Sequence, residues 1–203
     1  MTFRKITHLK QGTSKWRNWR KGVIGASDAP TIMGENPWKD IESLFNEKVG
    51  LEPEFKGNAN TREGKRLEPI ARKFLSSTHE LKLQPTIIQD SKHPFLIASL
   101  DGIDEDHQYI FEIKCGRYAY RHTREIRNVP LFYKAQLQHM LMITNFEYLY
   151  YCSYWPGENA IQYRIHRDDN YIKTLRKTEL EFAERLTDYG HKLEKKFLGR
   201  KIK

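Results

Sequence analysis

Apolar positions along the chain alternate between two spacings, one close to a helical turn and one of two residues. From 61 to 78, TREGKRLEPIARKFLSST sets Leu67, Ile70, Ala71, Phe74 and Leu75 on one helical face. Pro69 must either kink that helix or lie in its first turn. Strands are predicted near 83–89, 95–101 and 109–115. PLFYKAQLQHMLMIT, 130–144, reads as a helix opened by a proline. EYLYYCSYW, 147–155, is a strand-prone run, and AIQYRIH, 160–166, alternates. A last helix, about 169–198, spaces Ile172, Leu175, Phe182, Leu186, Tyr189 and Leu193 along one side, interrupted by Glu179. GLEPEFKGNANT, 50–61, has loop composition and joins an N-terminal helical region, about 1–60, to a core of about 61–167. Helix, three strands, helix and strand make an α/β fold with a mixed sheet. A length of 203 residues suits one domain around one core.

Composition narrows the class. No apolar run approaches a membrane span, and MTFRKITHLK lacks the apolar centre of a signal peptide, so a cytoplasmic protein without membrane contact is expected. Two cysteines, Cys115 and Cys152, cannot build a four-cysteine metal site and read as buried free thiols. The formal charge of +9 points to a polyanion, and its distribution points to nucleic acid. Residues 1–21 carry seven Lys or Arg and no acid. Between 117 and 134, Arg117, Arg121, Arg124, Arg127 and Lys134 alternate with Tyr118, Tyr120, Phe132 and Tyr133, against Glu125 alone. Cations neutralise phosphates and aromatic rings stack unpaired bases. Six more cations between Lys192 and Lys203 read as a solvated face.

The candidate chemistry lies in SLDGIDEDHQYIFEIKC, 99–115. Glu112 and Lys114 share a strand face, roughly 7 Å apart. If DEDHQ turns a hairpin, residues whose numbers sum to about 213 oppose each other, which sets Asp101 across from Glu112. Two carboxylates ~5 Å apart repel by roughly 3 kcal/mol at an effective dielectric of 20. Lys114 offsets part of this, and a hard divalent cation such as Mg²⁺ offsets more. A surface ion pair is the plain alternative. Apolar residues on both sides of the triplet, and Glu68 just before Pro69 on the preceding helix, favour a metal site.

Asp101 with Glu-Ile-Lys at 112–114 is similar to the PD-(D/E)xK nuclease signature, with Leu100 in place of its proline. The chain further resembles the phage lambda exonuclease and YqaJ viral recombinase family of those nucleases. QGTSKWRNWRKGVIGASDAPTIMG (11–34) looks like the family's opening signature, and GKRLEPIARKF (64–74) its first acidic helix. FLIASLDGI and YIFEIKC look like its metal hairpin, YKAQLQHMLMIT (133–144) its glutamine helix, and YLYYCSYWP (148–156) the strand after it.

The resemblance implies a restriction-endonuclease-like core, a mixed central sheet flanked by helices, in one nuclease domain over 1–203. It implies Mg²⁺, with Mn²⁺ as a substitute, held by Glu68, Asp101, Glu112 and the Ile113 carbonyl. Lys114 would orient and help deprotonate the attacking water, with Gln136 and Tyr133 facing the same site. Arg20 and Ser27 match a terminal 5′-phosphate pocket, although Ser27 is equally placed to cap a helix at 27–34. Arg117, Arg121 and Arg124 would bind DNA. The implied activity is 5′→3′ digestion of double-stranded DNA ends to 5′-mononucleotides, leaving a 3′ strand for a single-strand annealing protein. The implied assembly is a homo-oligomer, a ring trimer. The alternatives are an endonuclease or Cas4-like nuclease of the same fold, and a non-catalytic DNA-binding protein on that scaffold. The histidines, His139 included, form no ligand cluster in the sequence.

Overall fold

The computed structural model describes residues 2–53, 55, 57–104, 106 and 108–198, the last seven by backbone alone. The side chains of the basic tail, 192–203, and two residues of the predicted hairpin turn therefore lie outside the described residues. In chain order the elements are β1 (Phe3–Lys5), α1 (Ser14–Arg20), β2 (Ile24–Gly25), α2 (Ala29–Ile32), α3 (Ile41–Val49), α4 (Ala59–His79), β3 (Gln84–Asp90), β4 (Leu96–Asp104) and β5 (Tyr109–Cys115). Then follow α5 (Arg117–Ile126), a 3₁₀ turn (Leu131–Tyr133), α6 (Lys134–Thr144), β6 (Tyr148–Tyr154), β7 (Ile161–His166) and α7 (Asp169–Leu198). No helix among the described residues is long and apolar enough to cross a membrane.

Among the described residues seven strands form one sheet in the order β1-β3-β4-β5-β6-β7, with β2 paired to β4. The pairs β2–β4 and β5–β6 are parallel and the others antiparallel, so the sheet is mixed. The N-terminal region, expected to be helical, also supplies β1 and β2. One face of the sheet, through Ile103 and Ile110, packs with Leu137 and Met140 of α6 and with Ile172 and Phe182 of α7. The other, through Phe111 and Ile113, packs with Ala71 and Leu75 of α4. Alternation along β5 divides these faces as the sequence pattern predicts.

Local chemistry explains where α4 begins and how it tolerates Pro69. Asn58 and Thr61 form a reciprocal capping box, which starts the helix at Ala59, two residues before the predicted 61. Pro69 sits mid-helix on its exposed side, where water can take the Lys65 carbonyl that the ring leaves unbonded. Glu179, an interruption in the sequence pattern of α7, is fully buried against His139 of α6, Nδ1 to Oε1 2.6 Å. The other ring nitrogen of His139 lies 2.9 Å from the Ile97 carbonyl. Burial pushes the His139 pKa down, but the Glu179 carboxylate outweighs it and the net shift is upward.

The β4 strand carries the irregularity that matters most. Between Gln84↔Ile103 and Thr86↔Leu100, β3 advances two residues and β4 three. The extra residue falls at Asp101–Gly102, a bulge of the kind that re-aims a side chain beside a functional site.

Candidate active site

The centre forms where β4 and β5 part. Their ladder runs Asp104↔Tyr109, Ile103↔Ile110 and Gly102↔Phe111, with the expected sum of 213. Asp101 lies next along β4, at the bulge, and its carboxylate takes the place of a ladder carbonyl: Oδ2 accepts from the Ile113 N–H at 2.8 Å. A strand residue directs its N–H and C=O to the same side, so the Ile113 carbonyl faces the same fork. The same edge of β4 is taken up further back by β2, through Ile24↔Leu96 and Gly25↔Ile97.

On the α6 side, Glu112 is buried and shared by two donors. Lys114 Nζ donates to Glu112 Oε1 at 2.6 Å, and Gln136 Nε2 donates to the same oxygen at 2.7 Å. Gln136 Oε1 accepts from Lys114 at 3.3 Å, and the ammonium lies 4.5 Å from the centre of the Tyr133 ring. Lys114, Gln136, Tyr133 and Glu112 are thus one contact group. On the α4 side, Glu68 pairs with Arg72, which also donates to the Asp101 carbonyl. Arg72 is the residue the sequence reading missed, and its signal was the i, i+4 spacing from Glu68.

The carboxylates of this centre crowd one another despite the Lys114 and Arg72 cations. Burial first, then the Glu112 and Glu68 carboxylates, holds the Asp101 pKa well above the ordinary carboxylate range. Burial likewise raises Glu68, with Glu112 adding and Arg72 opposing. Burial disfavours the charged form of Lys114, yet Glu112 chiefly outweighs it and keeps the group an ammonium. Both thiols, Cys115 and Cys152, are pushed up to about 12 by burial and are inert at neutral pH.

Among the described residues no three His, Cys, Asp or Glu side chains are gathered tightly enough to hold an ion as they stand. Glu68 is turned to Arg72 and Glu112 to Lys114. The donor set nonetheless fits a hard divalent cation. Glu112 Oε2 is buried with no partner among the described residues, and the available donors, Asp101, Glu112, Glu68 and the Ile113 carbonyl, are all oxygens.

A stability consequence follows from the direction of the Asp101 shift. A carboxyl with a raised native pKa favours folding below about pH 4 and opposes it as pH rises through the native value. Asp101→Asn keeps an acceptor for Ile113 N–H and removes that opposition. In chelator at pH 7.5 it is expected to gain about 1 kcal/mol, some 2–4 °C in Tm. A thermal melt series should show the gain shrinking toward pH 4; a gain that is constant with pH would place the Asp101 carboxyl in an ordinary environment.

Arg20 and Ser27 come together at the β2 end of the same edge. Arg20 Nη2 donates to Ser27 Oγ at 2.7 Å and lies 3.7 Å from Asp28, with its guanidinium 4.8 Å from the Trp16 ring centre. Gly25 leaves room for it, since a Cβ there would meet Arg20 Nη2 at 3.3 Å. Ser27 is not the helix cap: Asp28 occupies that position of α2. Burial raises the Asp28 pKa, but Lys48 at 2.6 Å and Arg20 hold it below the usual range. Arg20, Lys21 and Lys48 against Asp28 and Glu47 leave this pocket a net positive charge. Ile97, beside β2, is four residues from Asp101, roughly 13 Å along the strand.

Arg117, Arg121 and Arg124 are exposed on α5, which leaves β5 immediately after the Glu-Ile-Lys segment. Helical geometry puts all three on one side. They do not enter the carboxylate group. Tyr120, counted in the sequence among interleaved aromatics, is buried and donates to the Asn159 carbonyl at 2.9 Å, so its role is packing.

The backbone resembles that of an alkaline exonuclease from Laribacter hongkongensis, with a TM-score of 0.80 at 22% identity over 92% of this chain and 99% of that one. A phage-related exonuclease from Haemophilus somnus gives 0.59 at 14% identity, over 85% and 96%. The fold is the restriction-endonuclease-like α/β fold. The YqaJ-like viral recombinase domain matches residues 15–147, and the chain belongs to that family. The uncharacterised protein YqaJ of Bacillus subtilis (strain 168) is 29% identical over 173 residues, 83% of this chain and 54% of its own length. An uncharacterised protein of Acanthamoeba polyphaga mimivirus is 24% identical over 163 residues, 71% of this chain and 29% of its own. The chain therefore spans about half of one relative and under a third of the other.

Proposed function

We propose that this chain is a metal-dependent exonuclease that digests double-stranded DNA from 5′ ends and leaves a 3′ single strand. The observation that carries the reading is the fork at Asp101. There a bulge in β4 and the end of the ladder bring the Asp101 carboxylate to Ile113 N–H, beside the strand that carries the Glu112–Lys114 pair. Family membership and the fold of the two exonucleases support the same class of chemistry.

When bound there, Mg²⁺ supplies charge neutralisation toward a phosphate oxygen and acidifies a water. Asp101, Glu112 and the Ile113 carbonyl would hold it, with Glu68 joining on leaving Arg72. Lys114, as an ammonium, donates a hydrogen bond and positive charge to the reacting phosphate or water. It could accept a proton from the water only after losing one of its own to solvent, which requires Glu112 to release it. Gln136 holds the Glu112 carboxylate and the Lys114 ammonium together by one hydrogen bond to each. The Tyr133 ring face limits the ammonium's position from below. The exposed 3′ strand would pass to a single-strand annealing protein, and a homo-oligomeric ring would keep the enzyme on its substrate.

Arg20 and Ser27 would recognise the terminal 5′ phosphate. Hydrogen bonds from a charged donor contribute about 1.5–3 kcal/mol, so Arg20→Ala should lower the preference for 5′-phosphorylated over 5′-hydroxyl ends by roughly 10–100-fold. Arg20→Lys should restore part of it, since a point charge lacks the fork. An unchanged end preference in steady-state digestion would remove the pocket from the account. The polarity itself is tested with linear duplexes labelled at either end. Early release of labelled mononucleotide from 5′ ends is expected, and early release from 3′ ends would reverse the reading.

Arg117, Arg121 and Arg124 would each neutralise a phosphate. Replacing all three with glutamine should make the slope of log K against log salt shallower by about 2–3, without altering the response of Tm to Mg²⁺. An unchanged slope in binding titrations at several salt concentrations would make these arginines an ordinary solvated face.

A further inference from the structure

Aromatic rings continue outward from the carboxylates in an unbroken series of contacts. Tyr133, under the Lys114 ammonium, meets Phe132 edge-on at 4.5 Å between ring centres. Phe132 meets Trp38, from the loop before α3, edge-on at 4.7 Å. On another side Phe132 lies nearly parallel to His122 of α5, at 6.0 Å and 16°. His122 is in turn parallel to Tyr118, one helical turn earlier, at 6.2 Å and 5°.

A buried series of this kind would be core packing and need no ligand. Here the outer members face water: Trp38 is 69% exposed and Tyr118 64%, with Leu131, beside Phe132, at 82%. Large apolar side chains gathered at the surface mark an interaction site. The neighbouring charge says what kind. On α5, Arg117, Arg121 and Arg124 lie within about 60° of one another around the axis, and the Tyr118–His122 stripe begins about 60° further round. Rings that offer flat faces beside a row of guanidinium groups match an unpaired strand, which offers flat bases beside a row of phosphates. A duplex hides its base faces, so it satisfies only the arginines.

We propose that Tyr118, His122, Phe132 and Trp38 form a stacking platform for the unpaired bases of single-stranded DNA, with Arg117, Arg121 and Arg124 on its phosphates. The inference rests on the DNA-processing reading of the neighbouring centre, yet its chemistry is separate, because stacking uses neither carboxylate nor metal. A platform joined to the centre through Tyr133 would hold a frayed strand beside it and favour ends over the duplex interior.

The test is a fluorescence titration in chelator with two 5′-hydroxyl oligonucleotides of equal length, one of thymidines and one abasic throughout. Both carry the same phosphates, and only the first carries bases. Wild type should bind the thymidine strand at least about fivefold more tightly, as stacking on even one ring requires. Trp38→Ala and Tyr118→Ala should each reduce that ratio severalfold and leave abasic binding unchanged, while Trp38→Phe retains most of it. Tyr118 is exposed, so its removal does not endanger the fold; circular dichroism checks both variants. Equal affinity of wild type for the two strands overturns the proposal, and so does a full ratio in folded Tyr118→Ala. A base preference without any hydrolysis in Mg²⁺ or Mn²⁺ would leave the platform standing and remove the nuclease reading instead.

Discussion

A Glu112→Gln protein is expected to bind duplex DNA in Ca²⁺ much as wild type does, yet to hydrolyse it about a thousandfold more slowly or worse. The binding term comes from Lys and Arg on phosphates, which the substitution leaves alone. The chemical term depends on a carboxylate whose second oxygen is buried with no partner among the described residues, and glutamine puts a weakly coordinating amide in its place. Several kcal/mol of charge stabilisation at the phosphate are at stake, and each 1.36 kcal/mol is tenfold in rate. Asp101→Asn should behave in the same way for hydrolysis while raising metal-free stability, a combination that distinguishes a functional carboxylate from a structural one. Quenched-flow rates and binding isotherms on the same preparations check both halves. Hydrolysis within tenfold of wild type in either variant would remove the carboxylates from the chemistry.

Lys114→Met is expected to lose hydrolysis by roughly a hundredfold to a thousandfold, and also to lose stability. Its ammonium and the Gln136 amide are the two donors on Glu112 Oε1, so methionine leaves a buried carboxylate with one donor. Removing one partner of a buried pair costs about 3 kcal/mol. Mg²⁺ should recover much of that stability, because it neutralises the same carboxylate, but should not recover the rate, because the positive donor to the reacting phosphate remains absent. Tm and single-turnover rates measured with and without Mg²⁺ separate the two effects. A variant whose rate recovers along with its Tm would make Lys114 a structural counter-charge and nothing more.

The parts of this site that were legible in the sequence are those that depend on period alone. Alternation in YIFEIKC put Glu112 and Lys114 on the face opposite Phe111 and Ile113, and i, i+3 spacing brought Tyr133 and Gln136 together. The hairpin sum of 213 holds through Gly102↔Phe111. The bulge was not legible, because an extra residue in β4 exists only relative to its partner β3, and no local signal at Asp101–Gly102 records it. Arg72 did carry a local signal, its i, i+4 spacing from Glu68, but one basic residue among several on a polar helix acquires a role only when the Asp101 carbonyl is placed beside it. The α5 helix escaped notice because its exposed side is so basic that apolar periodicity is weak, with Tyr120 and Thr123 alone turned inward. Ser27 could be read two ways until the structure put Asp28 at the cap and gave the Ser27 hydroxyl to Arg20. Likewise, His139 and Glu179, 40 residues apart, became a pair only through the packing of α6 on α7.

One digestion tests a metal-dependent, end-directed centre most directly: a linear, 5′-phosphorylated duplex and a covalently closed circle, each with wild type and Glu112→Gln, in Mg²⁺ or in chelator. Mononucleotides should appear from the linear duplex with wild type in Mg²⁺ and under no other combination. Digestion that persists in chelator, proceeds at the wild-type rate with Glu112→Gln, or linearises the circle would contradict a metal-dependent, end-directed centre built on this fork.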